Sequence, residues 1–543
     1  MLRIVNGCVY DPANNIDGES RDICVSDGKI VADVPAEARR IDARGMVVMP
    51  GGVDMHAHIA GPKVNLARKL IPEDHRRDPH PRVGMMRSGA GGSVPSTFAT
   101  GYRYAMLGYT TVMEAAAPAL GARHVIEELH DTPIIDKGFF ALMGNNVLLM
   151  RLIKEGRKDA VRNTLAWWLN AAKAYTAKIV NPGGVEMWKS GSNNVTDQNS
   201  TIESFGITPL QVLDALSLAV DELGLPHPTH IHCNNLGHSG NYTTTLETMR
   251  VLQGRRAHIT HIQFHCYGGK LGGKPTSKAA EIVEYLKNHP ETTADVGQVM
   301  FGDAVTMTAD APLSYMLHKL NGGKWVNADV ENETGCGIVP FVYQDSNYVH
   351  ALQWGIGLEL FLLNQNPWQL ALSTDHPNGG SFMNYPRLIK LLMDRDFRNQ
   401  EIKKVNQAAM KKTVLLDDLQ REYTLREIAI VTRAGPARLL GLKNKGHLGA
   451  GADADITIYE EQADKEAMFR TPRFVVKSGK IIIDDGEFRA EHNGKLLHVM
   501  PDYDPQIVEV IKPFFDDFYS IQFENYAVGD EYLHEHEVVP TLR

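Results

Sequence analysis

His56 and His58 stand two residues apart at the end of the apolar, β-prone run Met46-Val47-Val48-Met49-Pro50-Gly51-Gly52-Val53-Asp54-Met55. Side chains alternate faces along a strand, so both imidazoles point the same way and can share one metal ion. Such a pair becomes informative when further ligand types end later strand-like runs, and they do. Lys178 follows Tyr175-Thr176-Ala177. His230 and His232 lie in Thr229-His230-Ile231-His232-Cys233-Asn234-Asn235, and His258, His261 and His265 share the next apolar run. Asp375 follows Ala371-Leu372-Ser373-Thr374 and precedes His376-Pro377. Each has a plainer reading alone. A lysine entering an apolar strand commonly snorkels to the surface, a single buried histidine is commonly structural, and an aspartate after a strand can cap a helix. Together they describe a metal centre. Imidazole suits zinc, and a carboxylate can both ligate and shuttle protons. A buried lysine, its pKa lowered by burial, can capture carbon dioxide and become an anionic oxygen donor able to bridge two ions.

Such a centre needs strands that end on one face. From about 51 to 425, short apolar runs at 110–114, 177–181, 229–233, 258–264 and 370–374 alternate with helical patterns at 157–175, 209–223 and 277–288. This α/β alternation predicts a (β/α)8 TIM-like barrel with its site at the carboxyl ends of the strands. Residues 1–50 and 426–490 read as β segments, with tight turns at Asn6-Gly7 and Asp27-Gly28 and a hairpin over 474–477 and 481–484. The two segments are expected to pair into one small β-sandwich beside the barrel. An insert at about 61–104, carrying Lys63, Arg68, Lys69, Arg76, Arg77, Arg82 and Arg87, is expected to form a loop or lid over the site. Residues 491–543 form a C-terminal extension, helical over 505–519, that packs on this protein or on a partner.

The 543 residues exceed one simple core and predict a large domain with smaller modules. A net charge of -9 argues against nucleic acid as the main partner. The five cysteines are scattered and never form CxxC, which reads as a reducing, cytoplasmic compartment without an iron–sulfur site. The apolar run 348–363 is interrupted by His350 and Glu359, so no transmembrane helix is expected.

The order HxH, Lys, His, His, Asp, together with the C-terminal run Gly449-Ala450-Gly451-Ala452-Asp453-Ala454-Asp455-Ile456, resembles the amidohydrolase superfamily of binuclear metal hydrolases. Three longer runs narrow the resemblance: His58-Ile59-Ala60-Gly61-Pro62-Lys63-Val64-Asn65-Leu66-Ala67-Arg68, Asn181-Pro182-Gly183-Gly184, and Ser373-Thr374-Asp375-His376-Pro377-Asn378-Gly379-Gly380-Ser381-Phe382. They look like the family of A-type subunits found in formylmethanofuran dehydrogenases and in methylotroph formyltransferase/hydrolase complexes. The resemblance implies two divalent ions, taken as zinc. His56 and His58 would hold one ion and His232 and His261 the other, with N6-carboxylated Lys178 bridging them. Asp375 would join the first ion and act as acid and base. Lys63, Asn65, Arg68 and Asn234 would contact a methanofuran-type carrier, and the insert's arginines would meet its glutamate tail. The implied reaction is reversible hydrolysis of the N-formyl carrier to formate and free amine. It would take place beside B-, C- and formyltransferase D-like subunits, or in the condensing direction in a carbon-dioxide-reducing dehydrogenase. A cyclic amidase of the dihydropyrimidinase or hydantoinase kind shares the ligands without these runs. A metal-free scaffold would lack the ligands.

Overall fold

Eight short, almost wholly buried strands run parallel as the wall of a barrel. In the computed structural model, which describes residues 1–78, 87–191, 195–306, 310–327, 333–417 and 419–542, they are β1 (Gly52–Ala57), β2 (Tyr109–Pro118), β3 (Asp136–Leu142), β4 (Thr176–Val180), β5 (Thr229–His232), β6 (Ala257–Ile259), β7 (Thr292–Gly297) and β8 (Leu370–Ser373). Burial on both faces explains why they read as apolar runs. Each pairs with the next. The seam closes through the Ala57–His376 bridge, with Ser373 Oγ donating to His56 O at 2.8 Å. Helices cover the outside. One of them, Pro209–Glu222, starts where Thr208 and Gln211 cap each other's backbone N–H groups and Pro209 supplies a preset φ. Strands β3 and β7 are not among the expected runs. The expected strand at 258–264 stops at Ile259, because His261 turns into the left-handed region (φ 33°) and starts the short helix Ile262–His265.

The two chain ends do meet, in one nine-stranded sheet. Strand Met46–Pro50 lies parallel to Leu2–Asp11 on one side and antiparallel to Ile456–Glu460 on the other. Phe474–Lys477 and Lys480–Asp484 extend it as the expected hairpin. Asp27 and Gly28 form the expected turn, both at positive φ. Asn6-Gly7 does not turn the chain. It is a bulge inside the single strand Leu2–Asp11, where the register shifts between Ile4 and Gly7.

A buried ionic network fastens this sheet to the barrel. Lys477 Nζ donates to Asp136 at 2.6 Å and to Asp455 at 2.8 Å, and Lys445 contacts Asp136, Asp453 and Asp455. Burial alone would raise the Asp136 carboxyl, but Lys445 and Lys477 hold it far below the usual carboxylate range. Breaking one partner of a buried ion pair typically costs about 3–5 kcal/mol. Asp136→Ala is expected to lose that much, read as a lower urea midpoint at unchanged slope. An unshifted midpoint would show that the network carries no stability.

The 61–104 insert is helical as well as looped, with helices Pro62–Leu70 and Thr97–Met106. Its Val64, Ala67 and Val94 pack on Ile338. Ile338 belongs to a second insert, between β7 and β8, which no sequence pattern announces. This insert contains the helix Ala311–Asn321 and a three-stranded sheet of Gly302–Thr306, Val326–Asn327 and Gly337–Tyr343. Much of the first insert's positive charge is spent internally. Arg68 donates to Pro95 O and Asn65 Oδ1, Arg77 pairs with Asp74, and Arg87 lies 3.7 Å over the Phe98 ring. Lys69 and Arg76 are exposed, and Arg82 lies outside the described residues.

The C-terminal extension packs on this chain. Leu496–His498 adds beside β3 and His536–Val538 beside it. Helix Val508–Phe518 sets Phe515 against Trp167 and Trp168. Among the described residues no helix is long and apolar enough to cross a membrane.

Candidate metal centre

All six expected ligands are buried at the carboxyl ends of barrel strands, on one face. At the end of β1, His58 Nδ1 donates to Glu114 Oε1 (3.0 Å). His56 Nδ1 stands 3.1 Å from Asp295 Oδ2 and 2.9 Å from His230 Nε2. These contacts turn both Nε2 atoms inward, where they converge on Asp375 Oδ1 at 2.9 and 3.3 Å. Glu114 also accepts the N–H groups of Ile59, Ala60 and Ala116. Burial would raise its carboxyl, but His58 and these donors keep it below the ordinary range. Asp295 accepts from the His261 N–H at 2.8 Å and contacts His258 Nε2 at 3.1 Å, which fixes the turn that presents His261.

Close approach at the rim needs a glycine. A Cβ on Gly297 would sit 2.6 Å from His261 Cβ and 3.0 Å from Asp375 Cβ, so only glycine lets β7 pass between them. Asp375 is itself left-handed (φ 50°). Its Oδ1 accepts from Asn378 Nδ2 at 2.9 Å. Burial opposes its charge, yet His261 and His56 hold the carboxyl well below its usual value.

Lys178, on β4, contacts Thr260 Oγ1 at 3.3 Å. Burial pulls its amine down to about 7, against the attraction of Asp295 and Asp375. His232 Nε2 lies 2.9 Å from Asp310 Oδ1, which leaves Nδ1 facing the site. His261 joins the two halves, its ring centroid 5.3 Å from that of His56 and 4.6 Å from that of His232. Two of the neighbouring histidines are engaged with other partners. His230 is turned into a chain with His227 (2.9 Å), which reaches Leu439 O. His258 spans Asp295 and Thr293.

The arrangement suits a metal. Among the described residues, His232 Nδ1, both ring nitrogens of His261 and Asp375 Oδ2 are buried without a hydrogen-bond partner, while His56 Nε2 and His58 Nε2 are met by Asp375 Oδ1. Buried polar atoms are nearly always satisfied, and a cluster of orphaned imidazole nitrogens with one carboxylate is a donor set for zinc-like divalent ions. The trio His56, His261 and Asp375 and the trio His232, His261 and His265 each bring ligand atoms within 4.8 Å of one another.

The four residues expected to contact the carrier each have partners within the chain. Lys63 is buried with Nζ 3.3 Å from Cys336 Sγ. Asn65 and Arg68 bond each other and reach His124 and Glu128. Asn234 donates to Asn181 Oδ1 and Pro182 O and accepts from Gln198, so it holds the Asn181-Pro182-Gly183-Gly184 turn in place. Asp375 and Asn378 open onto a cavity of about 670 Å³ with a mostly apolar wall that includes Phe264, Leu313, Met316 and Phe341. Sequence reasoning missed Glu114, Asp295 and Asp310. The first two left one signal, an acid inside an apolar strand.

An amidohydrolase family profile matches residues 39–483. Protein FwdA of Methanocaldococcus jannaschii is 46% identical over 99% of this chain and 98% of its own length. The A-type subunit of the formyltransferase/hydrolase complex Fhc of Methylorubrum extorquens is 39% identical over 98% of this chain and 97% of its own length. A chain of the crystal structure of that complex with methylofuran superposes with a TM-score of 0.94 at 37% identity, covering all of both chains. N-acyl-D-glutamate deacylase from Bordetella bronchiseptica, at 16% identity and a TM-score of 0.51 over 91% of this chain and 98% of its own, shares the fold alone. With a matched profile over most of its length and relatives that align from end to end, this chain belongs to the amidohydrolase family.

Proposed function

We propose that this protein hydrolyses, reversibly, the N-formyl amide of a methanofuran-type carrier to formate and the free amine. The observation that carries the reading is the ring of buried, inward-facing donors from His56, His58, His232, His261 and Asp375 around Lys178. The names of the relatives, a methylofuran complex among them, support the substrate class.

In this reading His56, His58 and Asp375 hold one divalent ion and His232 and His261 a second, with both taken as zinc. Bound there, the pair would lower the pKa of water toward about 7 and polarise the formyl oxygen. Lys178 is the bridge, carried as its N6-carboxyl derivative. Its neutral amine attacks carbon dioxide, forming the N–C bond and releasing one proton, and burial favours that neutral amine. Glu114 and Asp295 fix the His58 and His56 rings so that Nε2 faces inward. Asp375, anchored through Oδ1 by Asn378, has Oδ2 free to take the proton of the attacking water and return it to the leaving amine. The apolar cavity beside it accommodates the carrier's uncharged part and limits water at the reacting carbon. Lys63, Asn65, Arg68 and Asn234 are assigned to the carrier's side of the site, Asn234 through the turn it holds.

We place the chain with B-, C- and formyltransferase D-like subunits, acting in the hydrolytic direction. Its five free cysteines fit a cytoplasmic setting. The test is a screen of N-formyl amines, including the N-formyl carrier, against hydantoins and dihydropyrimidines. Formate release from the formyl amines alone is expected. Ring opening of the cyclic amides without formate release would overturn the reading.

A further inference from the structure

The other buried histidines near the site each have a job. His227, His230 and His258 use both ring nitrogens on named partners. His265 does not. It is wholly buried, and neither ring nitrogen has a hydrogen-bond partner among the described residues. A core histidine left in that state carries a desolvation cost with no return.

Its position is held. The short helix Ile262–His265 is tied down where Thr245 Oγ1 donates to His265 O (2.8 Å) and Asn241 Nδ2 to Phe264 O (2.8 Å). The ring then faces His232 and His261, at centroid separations of 5.3 Å from each, while His232 and His261 are 4.6 Å apart. With metal–nitrogen distances of about 2.0–2.1 Å, tetrahedral ligation sets imidazole centroids about 5 Å apart. The three rings match that spacing, and their ligand atoms lie within 4.8 Å of one another.

We infer that His265 is a third imidazole ligand of the second ion, joining His232 and His261, with the Lys178 bridge as a further donor and a fifth position left to water. His232 contributes Nδ1, because Asp310 occupies its Nε2; the second insert therefore orients a ligand of this ion from outside. A divalent, borderline-soft ion such as zinc or cobalt fits three neutral nitrogens better than magnesium or calcium does.

This inference rests on the two-ion reading, and the experiment separates the two. Metal content and zinc affinity are measured on the full chain, wild type and His265→Asn, by elemental analysis after equilibration with graded chelator. His265→Cys is then loaded with cobalt and followed by absorption. Wild type is expected to hold two ions. His265→Asn should bind the second at least about 100-fold more weakly, and His265→Cys should hold both cobalt ions and gain a thiolate-to-cobalt charge-transfer band. Two ions at wild-type affinity in His265→Asn, or two cobalt ions in His265→Cys without that band, would overturn the assignment while leaving the two-ion site standing. Fewer than two ions in wild type would overturn both.

Discussion

Lys178→Ala is expected to lose both metal and activity, with kcat/KM falling by about 10³-fold or more. The lysine stands on β4, buried, within electrostatic reach of His56, His230, His232, His261 and His265. On the proposed reading, its removal would take a ligand from both ions at once and leave a gap where the negative bridge would lie. The decisive part is recovery. Acetate or propionate, small enough to enter the gap, should restore part of the metal content and the rate in a concentration-dependent way. Full activity without added acid would rule out a bridging lysine. Lost activity with both metals retained would place Lys178 elsewhere in the mechanism.

Asp375→Asn is the second large effect. The replacement has the same shape, and its amide oxygen can still accept the Asn378 Nδ2 contact now made at 2.9 Å. What it loses is the ability to take a proton. General acid–base groups contribute about 10²–10⁴-fold, so kcat should drop within that range while KM for the formyl substrate moves little. Metal analysis of the same preparation separates the two duties of the residue. Two ions per chain with the slow rate identifies the proton shuttle. A lost ion with the slow rate makes ligation the larger role, and an unchanged rate would remove Asp375 from the chemistry.

Much of this centre was legible because strand geometry imposes a rule that a sequence displays. His56 and His58 share a face by alternation, and Asp375 follows an apolar run that reads as a strand. The supporting residues were hidden by the same rule. Glu114 and Asp295 sit inside strands, where a single acid in an apolar run looks like an exception until a histidine from another strand is seen beside it. Asp310 was out of reach for a different reason. It lies in an insert whose contact with His232 spans β6 and β7, and no local pattern encodes that distance. His230 and His232 could not be told apart from their types, since both are buried in β5 and stand two residues apart on one face. Their roles separate only through what the neighbouring rings leave unpaired. Asn6-Gly7 misled because its composition is that of a hairpin turn, while the register of the surrounding sheet turned it into a bulge.

The terminal sheet has a consequence for how the nascent chain is made. Strand Met46–Pro50 is synthesised well before its neighbour Ile456–Glu460, with the whole barrel between them in the chain. At about 5–20 residues per second that gap lasts about 20–80 s, during which an apolar strand edge waits uncovered. Chaperone capture, or early docking of the growing barrel beneath it, has to protect that edge from pairing with other molecules.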